Sequence, residues 1–78
     1  MHLRINMGIE DLTKKDLKVY EYMKSYDFET YKWSTPDAAE YLGMTEDEVY
    51  ESMANIAKHI KDKVWIHYKD GGIRISAE

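Results

Sequence analysis

Leu3, Ile5 and Met7 alternate with His2, Arg4 and Asn6. Alternation puts every second side chain on one face of an extended chain, so a short N-terminal strand is expected, ended by Gly8. The period then changes. Leu12, Val19, Met23 and Tyr26 recur at spacings of seven, four and three, which places them on one stripe of a helix. That helix should run from about Lys14 to Ser25, with Thr13 as its cap and Asp16 three residues on as a capping box. Tyr20 and Tyr22 flank the stripe, and Lys14, Lys15, Lys18 and Glu21 are left for solvent.

Residues 26–34 hold Phe28, Tyr31 and Trp33, too much aromatic surface for an idle loop. Tyr31-Lys32-Trp33 is expected to add a short strand to a later hairpin. Thr35-Pro36-Asp37 then supplies a cap, a proline for the first turn and an acid for the positive end of a short helix. Gly43 ends it, as glycine does in a left-handed position after a helix. Thr45 with Glu48 is a second capping box, and Glu46 and Asp47 suit the same positive end. Val49, Met53, Ile56 and Ile60 form the buried stripe of this third helix, expected to reach about Lys61.

From Val64 to Lys69 the period returns to two. Val64, Ile66 and Tyr68 share one face; Trp65, His67 and Lys69 share the other. Asp70-Gly71-Gly72 has hairpin-turn chemistry, and Ile73, Arg74 and Ile75 return. The expected core is Leu12, Val19, Met23, Ala39, Leu42, Val49, Met53, Ile56, Ile60, Val64 and Ile66. Seventy-eight residues without an internal repeat, low-complexity segment or domain boundary make one domain, 1–78, with its core over about 11–76. The fold class is α+β: three helices, a C-terminal hairpin and a short N-terminal strand.

Composition narrows the chemistry. There is no cysteine, so disulfides and thiolate metal sites are excluded. Seven tyrosines stand against one phenylalanine. Tyrosine hydroxyls need water or a partner, so many of these rings should sit half-buried at element edges. No apolar run approaches the roughly 20 residues of a membrane span, and the start lacks the apolar stretch of a signal peptide; a cytoplasmic protein with no membrane partner is expected. Net charge is −4, but unevenly spread: residues 1–55 carry twelve acids and six bases, residues 56–78 three acids and five bases. A surface that binds anions should therefore lie in the last third.

No nucleophile–base constellation and no phosphate-cradling glycine loop is present, so binding is expected rather than catalysis, with no cofactor. His59 and His67 lack further ligands at metal-binding spacing. The acids of 46–51 lie on a helix, without the loop that calcium sites use. Trp33 and Trp65 could stack on bases or build the core and its margin.

The stretch from Ala38 to Val49 (Ala-Ala-Glu-Tyr-Leu-Gly-Met-Thr-Glu-Asp-Glu-Val) resembles the helix-turn-helix signature. Two helices crossing steeply need a small residue at their contact, here Ala39, and a positive φ in the turn, here Gly43. With a helix before it and a hairpin after it, the chain resembles the winged helix-turn-helix superfamily over about residues 11–76. Members of that superfamily commonly lay the second helix of the motif in the major groove and the hairpin along the backbone or minor groove. The resemblance implies duplex DNA as partner and regulation of transcription as the role.

Carried onto this sequence, it implies groove-facing Thr45, Glu46, Asp47, Tyr50, Glu51, Ala54 and Asn55. Wing contacts would come from His67, Lys69 and Arg74, and phosphate contacts from Lys58, Lys61 and Lys63. A homodimer is compatible with it. The sequence departs from the pattern in one respect: Glu46, Asp47, Glu48 and Glu51 crowd the start of the third helix, which has no arginine. Glu46, Asp47 and Glu48 serve the cap and the helix dipole. They also fit a second function, a module that binds a protein partner through the acidic face of that helix and does not touch DNA.

Overall fold

The computed structural model describes residues 12–78. The strand expected over residues 1–7 lies outside them. Three helices, α1 (Lys14–Lys24), α2 (Thr35–Leu42) and α3 (Glu46–His59), are followed by two strands, β1 (Val64–Lys69) and β2 (Gly72–Ala77). The strands pair antiparallel from Val64 with Ala77 to Lys69 with Gly72. This is a small α+β domain with a winged-helix-like layout.

Both capping boxes are formed. Thr13 Oγ1 accepts from the Asp16 N–H at 3.1 Å, and Asp16 Oδ2 accepts from the Thr13 N–H at 3.2 Å. Thr45 and Glu48 exchange the same pair of bonds at 3.1 and 2.9 Å. Gly43 has φ +68°, in the left-handed region where a Cβ is disfavoured. Its N–H and that of Met44 reach back to Glu40 and Ala39 carbonyls, which closes α2 and turns the chain into α3. The hairpin turn has two central residues, Asp70 at φ 54° and Gly71 at φ 77°. Positive φ at both is what the tight primed turn of a right-twisted hairpin requires.

The cap of α2 is Ser34, one residue before the expected Thr35. Its hydroxyl accepts from the Asp37 N–H at 3.2 Å. Thr35 turns inward instead, buried, with Oγ1 accepting from Trp33 Nε1 at 3.0 Å. A buried indole N–H needs an acceptor, and Thr35 is the one beside it. α3 ends at His59, two residues earlier than expected, because the Ile60 carbonyl collects the N–H groups of Lys63 and Val64 and bends the chain into β1.

The core runs through the space between the helices and the inner face of the hairpin. Val19, Met23, Val49, Ile56 and Ile75 are its most deeply buried large side chains. Leu12, Ala39, Met53, Ile60 and Val64 are buried as expected. Leu42 and Ile66 are only partly buried and pack against the margin. Tyr26 leaves the predicted stripe altogether, because α1 ends at Lys24 and the helical period no longer holds beyond it; its ring is 57% exposed.

Residues 26–33 form no strand, yet they line the free edge of β2. The Trp33 N–H donates to the Ile73 carbonyl at 2.9 Å, and the Ile75 N–H to the Phe28 carbonyl at 3.1 Å. Asp27 Oδ1 accepts from the Glu29 and Thr30 N–H groups, a local turn that breaks any ladder there. The Thr30 side chain first, and then these backbone bonds, hold the Asp27 carboxyl below its ordinary pKa. Phe28 and Trp33 enter the core from this segment, their rings 4.9 Å apart and nearly perpendicular.

Candidate nucleic-acid interface

α3 buries Val49, Ser52, Met53 and Ile56 and turns Glu46, Asp47, Tyr50, Glu51, Ala54 and Lys58 to solvent. The exposed face is therefore acidic at its N-terminal end and basic at its C-terminal end. That polarity suits the helix dipole, and it divides the face into two halves of opposite charge.

Glu48 is bound into the fold. Its carboxylate pairs with Lys15 of α1 as well as with the Thr45 N–H. The bond from Lys15 is the first cause holding the Glu48 carboxyl below its usual range, and the same bond raises the Lys15 ammonium. Lys18 Nζ donates to the Leu42 carbonyl at 3.1 Å, which places a cation at the C-terminal end of α2. Two α1 lysines thus fix the motif against the first helix.

In the last turn of α3 and just beyond it, Lys58, Lys61 and Lys63 are all exposed. Among the described residues none of the three has an ion-pair partner. On the hairpin, Trp65, His67 and Lys69 are exposed on the outer face. His67 Nε2 lies 3.2 Å from Glu29 Oε2, so that imidazole is already engaged by the segment before α2.

Two residues expected at the interface are spent elsewhere. Arg74 stands opposite His67 in the hairpin register, but the Glu29–Thr30 stretch crosses it. It is 8% exposed, and its Nη1 donates to the Glu29 carbonyl at 2.9 Å and the Thr30 carbonyl at 2.6 Å. Its charge satisfies carbonyls that the irregular segment leaves without partners in a ladder, so it belongs to the fold and not to the surface. Asn55 faces α1, donating from Nδ2 to Asp16 Oδ2 at 3.4 Å. Asp16 is itself buried, which explains why α3 carries an amide there. Thr45 is exposed, with its hydroxyl used as the cap. Tyr50, Glu51, Lys58, Lys61, Lys63 and Lys69 remain as the outward residues that a ligand on this side would meet.

A second surface was not singled out from the sequence. Tyr26, Tyr31 and Tyr41 are more than half exposed and lie with Tyr22 on the side of α1, α2 and the intervening segment. The excess of tyrosine over phenylalanine is the signal that could have found it. Among the described residues no group of three His, Cys, Asp or Glu side chains is arranged to hold a metal ion, and no helix is long and apolar enough to cross a membrane. Comparison with family models, with curated proteins and with solved structures gave no match.

Proposed function

We propose that this chain is a cytoplasmic, winged-helix DNA-binding protein that regulates transcription. It would grip duplex DNA with the C-terminal half of α3, the Lys61–Lys63 turn and the hairpin. The observation that carries this is the placement of Lys58, Lys61 and Lys63, all exposed, where the outward face of α3 runs out toward the hairpin and Lys69. Cations so placed can follow a phosphate backbone while Tyr50 and Ala54 face a groove. The acids Glu46, Asp47 and Glu51 oppose phosphates, so the N-terminal end of α3 stands off from the backbone and contributes little to affinity.

The test is duplex affinity across a salt series for single glutamine variants of Lys58, Lys61, Lys63 and Lys69. Each should weaken binding to any sequence and flatten the log–log salt slope by about one unit. Arg74 is omitted because its replacement acts on stability. Glu51→Gln should tighten nonspecific binding a few-fold, most visibly at low salt. An unchanged slope in the combined Lys58, Lys61 and Lys63 variant would overturn the proposal.

The acidic half of α3 favours a second reading, a protein-binding module that meets a basic partner there. Under it, Glu51→Gln would slow association with that partner and leave DNA affinity negligible throughout.

A further inference from the structure

Five aromatic rings form a chain on the face built by α1, α2 and residues 26–34. Ring centroids are 5.2 Å apart from Tyr41 to Tyr22, 5.5 Å from Tyr22 to Phe28, 5.3 Å from Phe28 to Tyr26 and 5.5 Å from Tyr26 to Tyr31. All five border one open depression of about 500 Å³, and Asp37 stands on its rim. Core packing accounts for Phe28, which is buried. It does not account for Tyr41 at 77% exposure or Tyr31 at 56%. So many exposed rings around one concavity mark a binding surface.

Asp37 is the one carboxylate among the described residues that line the depression. The Tyr22 hydroxyl is raised above its ordinary pKa by burial first, then by the Asp37 carboxylate, then by Tyr41. Lys32 also borders the depression; its stem passes beside Gly72, where a Cβ would come within 2.7 Å of its Cδ. Aromatic faces beside a carboxylate attract organic cations, because the ring quadrupole and the acid act in the same sense.

A second depression of about 540 Å³ adjoins the first and shares Tyr22, Ser25 and Tyr41 with it. Leu17 and Leu42 line it. The charged residues at its edge are occupied, Lys18 by the Leu42 carbonyl and Glu21 by Lys24 at 3.3 Å. One concavity suits a cation and its neighbour suits an apolar side chain.

We infer that the paired depressions bind an extended basic segment of a protein partner, seating an arginine or lysine side chain among Tyr22, Tyr26, Tyr31 and Tyr41 beside Asp37 and an apolar side chain over Leu17 and Leu42. Extended chains are recognised in this way, by aromatic grooves with pockets for side chains a few positions apart. The site is separate from the α3 and hairpin surface and does not depend on DNA binding. A nucleic acid is the poorer occupant, because Asp37 would oppose its phosphates.

The test uses a labelled, capped pentapeptide with arginine at its second position and leucine at its fourth, against the same peptide with the neutral isostere citrulline. Fluorescence anisotropy should show the arginine peptide binding tighter by roughly five-fold or more. Asp37→Asn should remove most of that preference, and Tyr41→Ala should weaken both peptides. Tyr41 is exposed, so the circular dichroism spectrum of that variant should match the parent. Equal binding of the two peptides, a preference that survives Asp37→Asn, or no binding of the arginine peptide at millimolar concentration would each overturn the inference. So would capture at this site of a single-stranded oligonucleotide whose affinity rises in Asp37→Asn.

Discussion

Trp33→Ala should lower the stability of the domain by about 3–5 kcal/mol, the usual cost of emptying a buried aromatic site. The indole is 6% exposed. It meets Phe28 edge-on at 4.9 Å and Tyr22 at 5.5 Å, and its N–H serves the buried hydroxyl of Thr35 at 3.0 Å. Alanine leaves a cavity and an orphaned hydroxyl together. A domain of this length holds only about 4–12 kcal/mol in total, so the variant should be largely unfolded at 37 °C. Trp33→Phe keeps most of the apolar surface and loses the hydrogen bond, so it should cost about 1–2 kcal/mol. Urea denaturation followed by circular dichroism measures both. A midpoint for Trp33→Ala within error of the parent would mean that the 26–34 segment is not part of the cooperative fold.

Arg74→Met should cost about 2–3 kcal/mol, the scale of a charge-assisted hydrogen bond lost from a buried site. One guanidinium nitrogen holds the Glu29 and Thr30 carbonyls at once. Water can replace part of this, because Glu29 and Thr30 are themselves exposed, and that sets the upper limit. Methionine retains the volume of the stem, so the loss reports the bonds and not a cavity. Arg74→Lys should recover only part of it, since an ammonium on a flexible stem lacks the planar fork. The melting temperature should fall by about 8–24 °C for Arg74→Met. No change in melting, together with weaker DNA binding, would return Arg74 to the ligand surface.

Local chemistry made much of the fold legible. The Thr13–Asp16 and Thr45–Glu48 boxes, Gly43 after α2 and the Asp70–Gly71 turn are each written in adjacent residues, and each is where a cap or turn must be. The switch from period two to the helical period and back located α1, α3 and β1 by the faces they bury. What the sequence did not show are bonds between distant residues. Period two puts Arg74 on the outer face of the hairpin, and it stands there. Nothing in that pattern says that Glu29 and Thr30, 45 and 44 residues earlier, cross over it.

Asn55 is a similar case. Helical spacing leaves it beside the exposed stripe, and only the burial of Asp16 in α1, 39 residues away, turns it inward. Ser34 and Thr35 are ambiguous in the sequence because two adjacent hydroxyls can each cap a helix; the indole of Trp33 decides between them by claiming one. The aromatic face on α1 and α2 was hidden for a simpler reason. Tyr22 and Tyr26, four residues apart, read as one helical stripe until α1 ends at Lys24, and only the exposure of Tyr26, Tyr31 and Tyr41 separates a binding surface from a core.

The lysines at the end of α3 and on the hairpin are the centre of the functional account. The most direct test is a backbone amide NMR titration of the chain with a short generic duplex at low salt. The account predicts shifts concentrated in residues 50–63 and 65–71, shrinking together as salt is raised, with residues 35–41 of α2 unmoved. Shifts centred on residues 22–41, or none at all at low salt, would contradict it.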